Sequence, residues 1–226
     1  MRAYTLPQME SLAPMIQKIC LWAIPILVAV ILHEIAHGYV AFRLGDPTAA
    51  QLGRLTLNPF AHVDLFGTVL LPLLLLFGGA PFLFGYAKPV PVNFMNLRNP
   101  RKGMVLVALA GPMTNLALAG ISAAAFNFLQ AMQAPKDGLL ATNIGVLALM
   151  AGHSVLMNIG LAVFNMLPLP PLDGGRVATG LLPRAPAIAL ARLEPYGMLI
   201  IMVLLATGAL DQILRPMTKF LVQTLL

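Results

Sequence analysis

With 226 residues, 59% of them hydrophobic and 10% charged, the chain has well under half of the roughly 25% charged residues of ordinary soluble domains, so a water-soluble fold does not fit. The net charge of +6 comes from 14 Lys and Arg that lie mostly in short segments between apolar runs, which argues for topology control and anionic-lipid contact and against nucleic-acid binding. Cys20 is the single cysteine, which excludes an intrachain disulfide and a thiolate cluster.

In chain order, residues 1–16, with Pro7, Glu10 and Pro14, read as a short polar lead-in at the membrane interface. The first span runs from about Ile16 to Leu44 and contains Cys20, Trp22, Pro25 and the sequence His33-Glu34-Ile35-Ala36-His37. Because this run carries a chemical motif, it is expected to be kept and not removed as a signal peptide. Polar sequence from Gly45 to Pro59 follows, then an apolar run, Phe66 to Phe84, interrupted by Pro72 and by Gly78-Gly79-Ala80-Pro81. Gly85 to Asn93 is too proline-rich for a helix and suits an extended edge strand. Further spans cover about Gly103 to Met132, Leu139 to Leu167 and Tyr196 to Leu214, with a tight hairpin at Pro135-Lys136-Asp137-Gly138 joining the first two. The expected fold is an all-α polytopic membrane protein of about four crossings with one re-entrant segment and a small β element. It forms one domain over residues 1–226, with no soluble domain appended.

His-Glu-x-x-His on a helix sets two imidazoles about one turn apart on one face, aimed at a common ion. Zinc held there lowers the pKa of a bound water toward about 7 and polarises a scissile carbonyl. Glu34, beside the ion, is the general base for that water. Ionisable groups at membrane depth cost roughly 2.5–3.5 kcal/mol each on insertion scales, so His33, Glu34 and His37 within one apolar span need a compensating role. The bland reading is a buried polar cluster that holds helices together. A catalytic zinc needs a third protein ligand and an open position. Asp173, in the Pro- and Gly-rich break Pro168 to Gly175, is the best candidate; its bland reading is a turn or helix-cap aspartate. Asp64 is the runner-up.

These residues resemble the site-2 protease family of intramembrane metalloproteases. The first family signature is His33 to His37, and the second, Asn-x-x-Pro-x-Pro-x-Leu-Asp-Gly, is matched by Asn165, Pro168, Pro170, Leu172, Asp173 and Gly174. Gly111-Pro112-Met113-Thr114-Asn115 is similar to a third signature, so the resemblance covers roughly residues 20–180. It implies Zn2+ bound by His33, His37 and Asp173, water activated by Glu34, and Asn165 holding or polarising the substrate. It also implies that Lys88, Pro89, Val90, Pro91, Val92 and Asn93 pair with an unwound substrate segment by strand addition. The chain departs from some members in lacking a PDZ insertion and a CBS module and in having the apolar run Phe66 to Phe84. The implied partner is the transmembrane segment of a substrate protein within the lipid bilayer; the rivals are a metal transporter or an inactive membrane scaffold.

The metal site imposes a parity condition. His33 to His37 lie late in the first span and Asp173 just after the span ending near Leu167, so both must fall on one side of the bilayer, which requires Phe66 to Phe84 to re-enter or to cross an even number of times. Re-entry puts nine of the 14 basic residues on the active-site side (Arg43, Arg54, Lys88, Arg98, Arg101, Lys102, Arg176, Arg184, Arg192). The positive-inside rule then makes that side cytoplasmic, as for a bacterial inner-membrane protein. Elsewhere, His62 and Asp64 are expected at a structural interface, Asn115 in helix packing, His153, Ser154 and Asn158 in hydrogen bonds between helices, and the 13 methionines as apolar filling.

Overall fold

Apolar runs of sufficient length become three long helices in the computed structural model, which describes residues 9–80, 82, 84–132 and 139–226, the side chains of 9–19 and 139–141 excepted. The expected hairpin at Pro135–Gly138 and residues 1–8 of the lead-in lie outside these, while the remainder of the lead-in is already helical. The long helices are α1 (Met9–Arg43), α4 (Pro100–Ala131) and α5 (Leu139–Asn165). Each contains at least 24 apolar-rich residues, and at 1.5 Å per residue each exceeds the roughly 30 Å of a hydrocarbon core. They pack on one another through small and branched side chains, Ala119 and Ala123 of α4 against Val155, Ile159 and Val163 of α5, the close approach that helices need when lipid supplies no hydrophobic drive. At most a third of each span is buried within the protein; Trp22, Leu27, Leu106, Ile121 and Leu149 point outward. In water such surfaces would drive aggregation, whereas in a bilayer they meet lipid.

Between α1 and α4 the chain builds an irregular layer. Short α2 (Thr48–Gln51) and a 3-10 turn, Pro59–His62, lead to a π-helical turn, Leu65–Leu70, that continues into α3 (Leu71–Phe77). Asp64 opens this arm by accepting a 2.7 Å hydrogen bond from the Gly67 N–H. The arm turns at Gly78 and Gly79, the latter at φ 67°, where a side chain would be strained. It returns so that the Tyr86 N–H donates to the Gly67 carbonyl at 3.0 Å and Thr68 Oγ1 donates to the Tyr86 carbonyl at 2.9 Å. Leu65–Phe77 is too short to cross, and the two ends of the arm meet.

Two expectations are corrected. Among the described residues there is no strand: Lys88 to Asn93 is extended but belongs to no ladder, because Pro89 and Pro91 remove alternate donors and the remaining N–H groups bond to a loop carbonyl and to carboxylates. The expected crossing from Tyr196 to Leu214 is also broken. After α6 (Asp173–Leu181) and α7 (Arg184–Ala191), α8 (Glu194–Ala206) ends before Gly208, at φ 71°, and α9 (Ala209–Leu225) begins. The α7–α8 pair is bent by 64°; it makes a fourth span only if the pair is counted as one. Leu214, Leu221, Val222 and Leu225 of α9 lie against the α4–α5 core.

Candidate active site

His37 follows His33 by four positions on α1, and their rings meet edge to face with centroids 4.6 Å apart. Each ring is pinned through Nδ1 by a partner on α4. His37 Nδ1 donates to the Val107 carbonyl at 2.7 Å. His33 Nδ1 donates to Asn115 Oδ1 at 2.6 Å, a polarity fixed because the Asn115 amide donates to the Ala29 carbonyl and to Asn158 Oδ1. Asn158 in turn donates to the Ser154 carbonyl and Oγ, and Ser154 bonds Ser122 at 2.8 Å. A chain of buried dipoles crossing three helices thus sets the orientation of one imidazole. Gly111 makes room for both rings: a Cβ there would lie 2.6 Å from His33 Nε2 and closer still to His37 Nε2.

Asp173 arrives from the other side. Pro168, Pro170 and Pro171 keep the chain after α5 out of helix, and Asp173 becomes the first residue of α6. Gly174 and Gly175 allow this first turn to sit directly on the Met166–Pro170 backbone, where any side chain would collide with it. Arg101 of α4 clasps the far end of α6 by donating to the Gly180 carbonyl at 2.8 Å and to the Leu182 carbonyl. With α6 held at both ends, Asp173 Oδ2 lies 3.2 Å from His33 Nε2 and 3.3 Å from His37 Nε2.

The chemistry of this donor set fits a divalent ion. With both Nδ1 atoms donating, each neutral ring offers an Nε2 lone pair, and the two Nε2 atoms are 3.0 Å apart. Asp173 Oδ2 is buried and lacks a hydrogen-bond partner. Lone pairs facing one another at such distances repel, and a buried carboxylate oxygen without a donor is costly; a cation among them reverses both. Tetrahedral zinc with bonds of about 2.0–2.2 Å sets its ligand atoms about 3.3 Å apart. Among the described residues, His33, His37 and Asp173 are the group of three or more metal-ligating side chains that converges in this way.

Glu34 lies on the adjacent face of α1, half-buried, and its Oε2 accepts a 2.8 Å hydrogen bond from the Val90 N–H. The extended strap that carries Val90 is tied at several points. The Lys88 N–H donates to the His62 carbonyl at 2.9 Å, the Lys88 carbonyl accepts from Arg54 at 2.9 Å, and the Asn93 N–H donates to Asp46 Oδ2 at 2.7 Å. Val90 itself is buried against Gly38, one residue past His37.

Of the other residues singled out from sequence, Asn165 ends α5 with its amide donating to its own helix at Leu161, 3.0 Å. Asp64 caps the arm and is not in the metal group, so Asp173 supplies the carboxylate. His62 is buried with Nε2 donating to the Thr56 carbonyl at 2.9 Å. His153 donates to Leu149 on its own helix and meets Trp22 edge to face at 4.3 Å, a contact between α5 and α1. Asn115 and Asn158 do bond between helices as expected, but sequence reading missed that their chain ends on His33. It also missed Gly111 and the Val90 N–H. The signal for Asn115 was its place in a Gly-Pro-x-x-Asn run, which reads equally well as packing.

The family model for peptidase family M50 matches residues 21–148 and 138–207. "Putative zinc metalloprotease YwhC" of Bacillus subtilis (strain 168) is 41% identical over 194 residues, 86% of this chain and 84% of that protein. "Putative zinc metalloprotease Rip2" of Mycolicibacterium smegmatis is 32% identical over 187 residues, 82% of this chain and 66% of that protein. A further relative, "Putative zinc metalloprotease MJ0611" of Methanocaldococcus jannaschii, is 45% identical over 71 residues, 31% of each chain. No solved structure matches. Family match, relatives and metal-binding geometry agree, and the chain belongs to peptidase family M50 as a multi-pass membrane zinc metalloprotease.

Proposed function

We propose that this protease hydrolyses a peptide bond in or beside a transmembrane segment of a substrate protein, with His33, His37 and Asp173 as zinc ligands and Glu34 as general base. The observation that carries the reading is the meeting of three metal-ligating atoms, from two imidazoles and a carboxylate, inside an apolar bundle. When bound, zinc supplies an acidified water and polarises the scissile carbonyl. The Glu34 carboxylate takes the proton of the attacking water and passes it to the leaving amine. The Val90 N–H holds Oε2 and leaves Oε1 free to do this. Asn158 and Asn115 keep His33 turned, and Gly111 keeps clear the space beside the two Nε2 atoms. Asn165, next to the Pro loop, steadies the substrate carbonyl.

A helical substrate hides its carbonyls in hydrogen bonds, so it must unwind locally. Lys88 to Asn93 is the surface on which it does so. Residues 86, 88 and 90 are occupied on the inner edge, so by alternation the outer edge presents the carbonyls of Ala87, Pro89 and Pro91. Since the two prolines have no N–H, the substrate strand donates there and receives little in return. The Leu65–Phe77 arm enters and leaves the bilayer on one face, the active site lies toward the cytoplasm, and the membrane is the bacterial inner membrane. The meeting of Gly67 with Tyr86 and the nine basic residues on that side support this placement.

Purified protein incubated with a transmembrane model substrate tests the reading. Glu34→Gln is expected to abolish cleavage while about one zinc per chain persists, and chelation to abolish cleavage in the wild type. Cleavage that survives both changes would remove the assignment.

A further inference from the structure

Beside the general base lies a cavity of about 370 Å³ that the chemistry above does not use. One wall is α1, where Leu27, Val30 and Ile31 line it. With Glu34 these residues fall at i, i+3, i+4 and i+7, so cavity and carboxylate share one face of the helix. The opposite wall is the return of the arm, Phe84 to Ala87, which runs on directly to Val90 and its hydrogen bond with Glu34.

The lining is apolar apart from Thr68, Tyr86 and His62. Thr68 reaches the cavity, but its hydroxyl is used, donating to the Tyr86 carbonyl and accepting from the Asp64 N–H. His62 also lines it and is 3% exposed. Its Nε2 must carry the proton, since it donates to the Thr56 carbonyl. Nδ1 is enclosed, with neither a partner nor accessible surface, so the ring presents no open acceptor to the cavity.

We infer that this cavity is a specificity subsite: it receives a large apolar side chain of the unwound substrate next to the cleaved bond. The inference rests on the intramembrane protease reading above. The size suits the occupant, since an apolar cavity of about 150 Å³ already takes up benzene, and a leucine or phenylalanine side chain with its backbone needs more. The chemistry suits it too. A transmembrane segment is rich in such side chains.

The test uses a transmembrane model substrate with alanine at three positions on each side of the cleaved bond, leucine being walked through those positions. Leucine and alanine substrates compete in one reaction, so the ratio of their kcat/KM values does not depend on how much enzyme is folded. Wild type is expected to favour leucine by about tenfold or more at one position, as a shaped apolar pocket does. Val30→Phe, which fills the cavity, should bring that ratio toward one, and Val30→Ala, which widens it, should shift preference from leucine toward tryptophan.

A wild-type enzyme indifferent to leucine at every position, or a preference that neither Val30 variant moves, would mean the cavity holds lipid and would overturn the subsite. Failure of the protease reading looks different, since no substrate in the panel would then be cut in a way that depends on Glu34.

Discussion

At the scale of single residues, the site is decided by what stands behind the imidazoles. Gly111→Ala places a methyl where His33 and His37 turn their Nε2 atoms, and neither ring can retreat while Val107 and Asn115 hold the Nδ1 atoms. Zinc binding is expected to weaken at least tenfold with the helical circular dichroism unchanged; a full zinc complement in the variant would contradict the geometry. The dipole chain behind His33 predicts a graded effect. Asn115→Leu removes the direct partner and is expected to weaken zinc affinity about 10–100-fold, the usual cost of losing a group that orients a metal-bound histidine. Asn158→Leu, one link further, should cost less, and equilibrium dialysis against competing chelators measures the order. Two asparagines in apolar helices are not redundant glue if that order holds.

At the scale of elements, the strap and its anchors carry the predictions. Val90→Pro removes one N–H from a segment already extended and flanked by prolines, so it isolates the hydrogen bond to Glu34. It is expected to lower kcat about tenfold, a modest part of the 10²–10⁴ contributed by a positioned base. KM and zinc content should hold, and Val90→Ala, which keeps the N–H, should lose less. The strap is pinned further on by Asp46, fully buried just past the end of α1. Burial pushes this carboxyl up, but hydrogen bonds from Thr48, Asn96 and the Asn93 N–H outweigh it and hold the pKa below its ordinary value. A folded value below the unfolded one means that the stabilisation is fully present above about pH 4 and is lost as pH falls through the folded value. Thermal melts in detergent should therefore drop in strong acid, less steeply in Asp46→Asn, which should also be weaker at pH 7 by about 1–3 kcal/mol. Parallel slopes in wild type and variant would count against Asp46.

How far the sequence could be read follows from the same elements. His33 and His37 were legible because a helix repeats locally, and Asp173 because three prolines and two glycines announce a break that something must use. Long-range partners were not: Asn115 meets His33 across 82 positions, and no periodicity encodes that. Proline content correctly foretold extended backbone at Lys88 to Asn93, yet the same prolines forbid the ladder expected there. Gly208 lay hidden in an apolar run, and only its left-handed backbone divides α8 from α9.

For the whole molecule, the proposed topology is one that labelling can read. In a Cys20→Ser background, single cysteines placed near Arg54 and near Arg176 are expected to react with an impermeant reagent from the cytoplasmic side only. Reaction from opposite sides would defeat the placement of the Leu65–Phe77 arm. The three long helices bury at most a third of each span in one another, so lipid is the larger part of their surroundings, and detergent exchange should disturb their outer faces before it reaches the buried asparagines.

His33 and His37 enter the membrane early in synthesis, whereas Asp173 follows only after well over half of the chain has been made. Until the ribosome has delivered α6, the first helix holds a pair of imidazoles without the carboxylate that meets them in the folded protein. On the proposed ligand set, hydrolytic power comes only once that later part of the chain has joined the first helix.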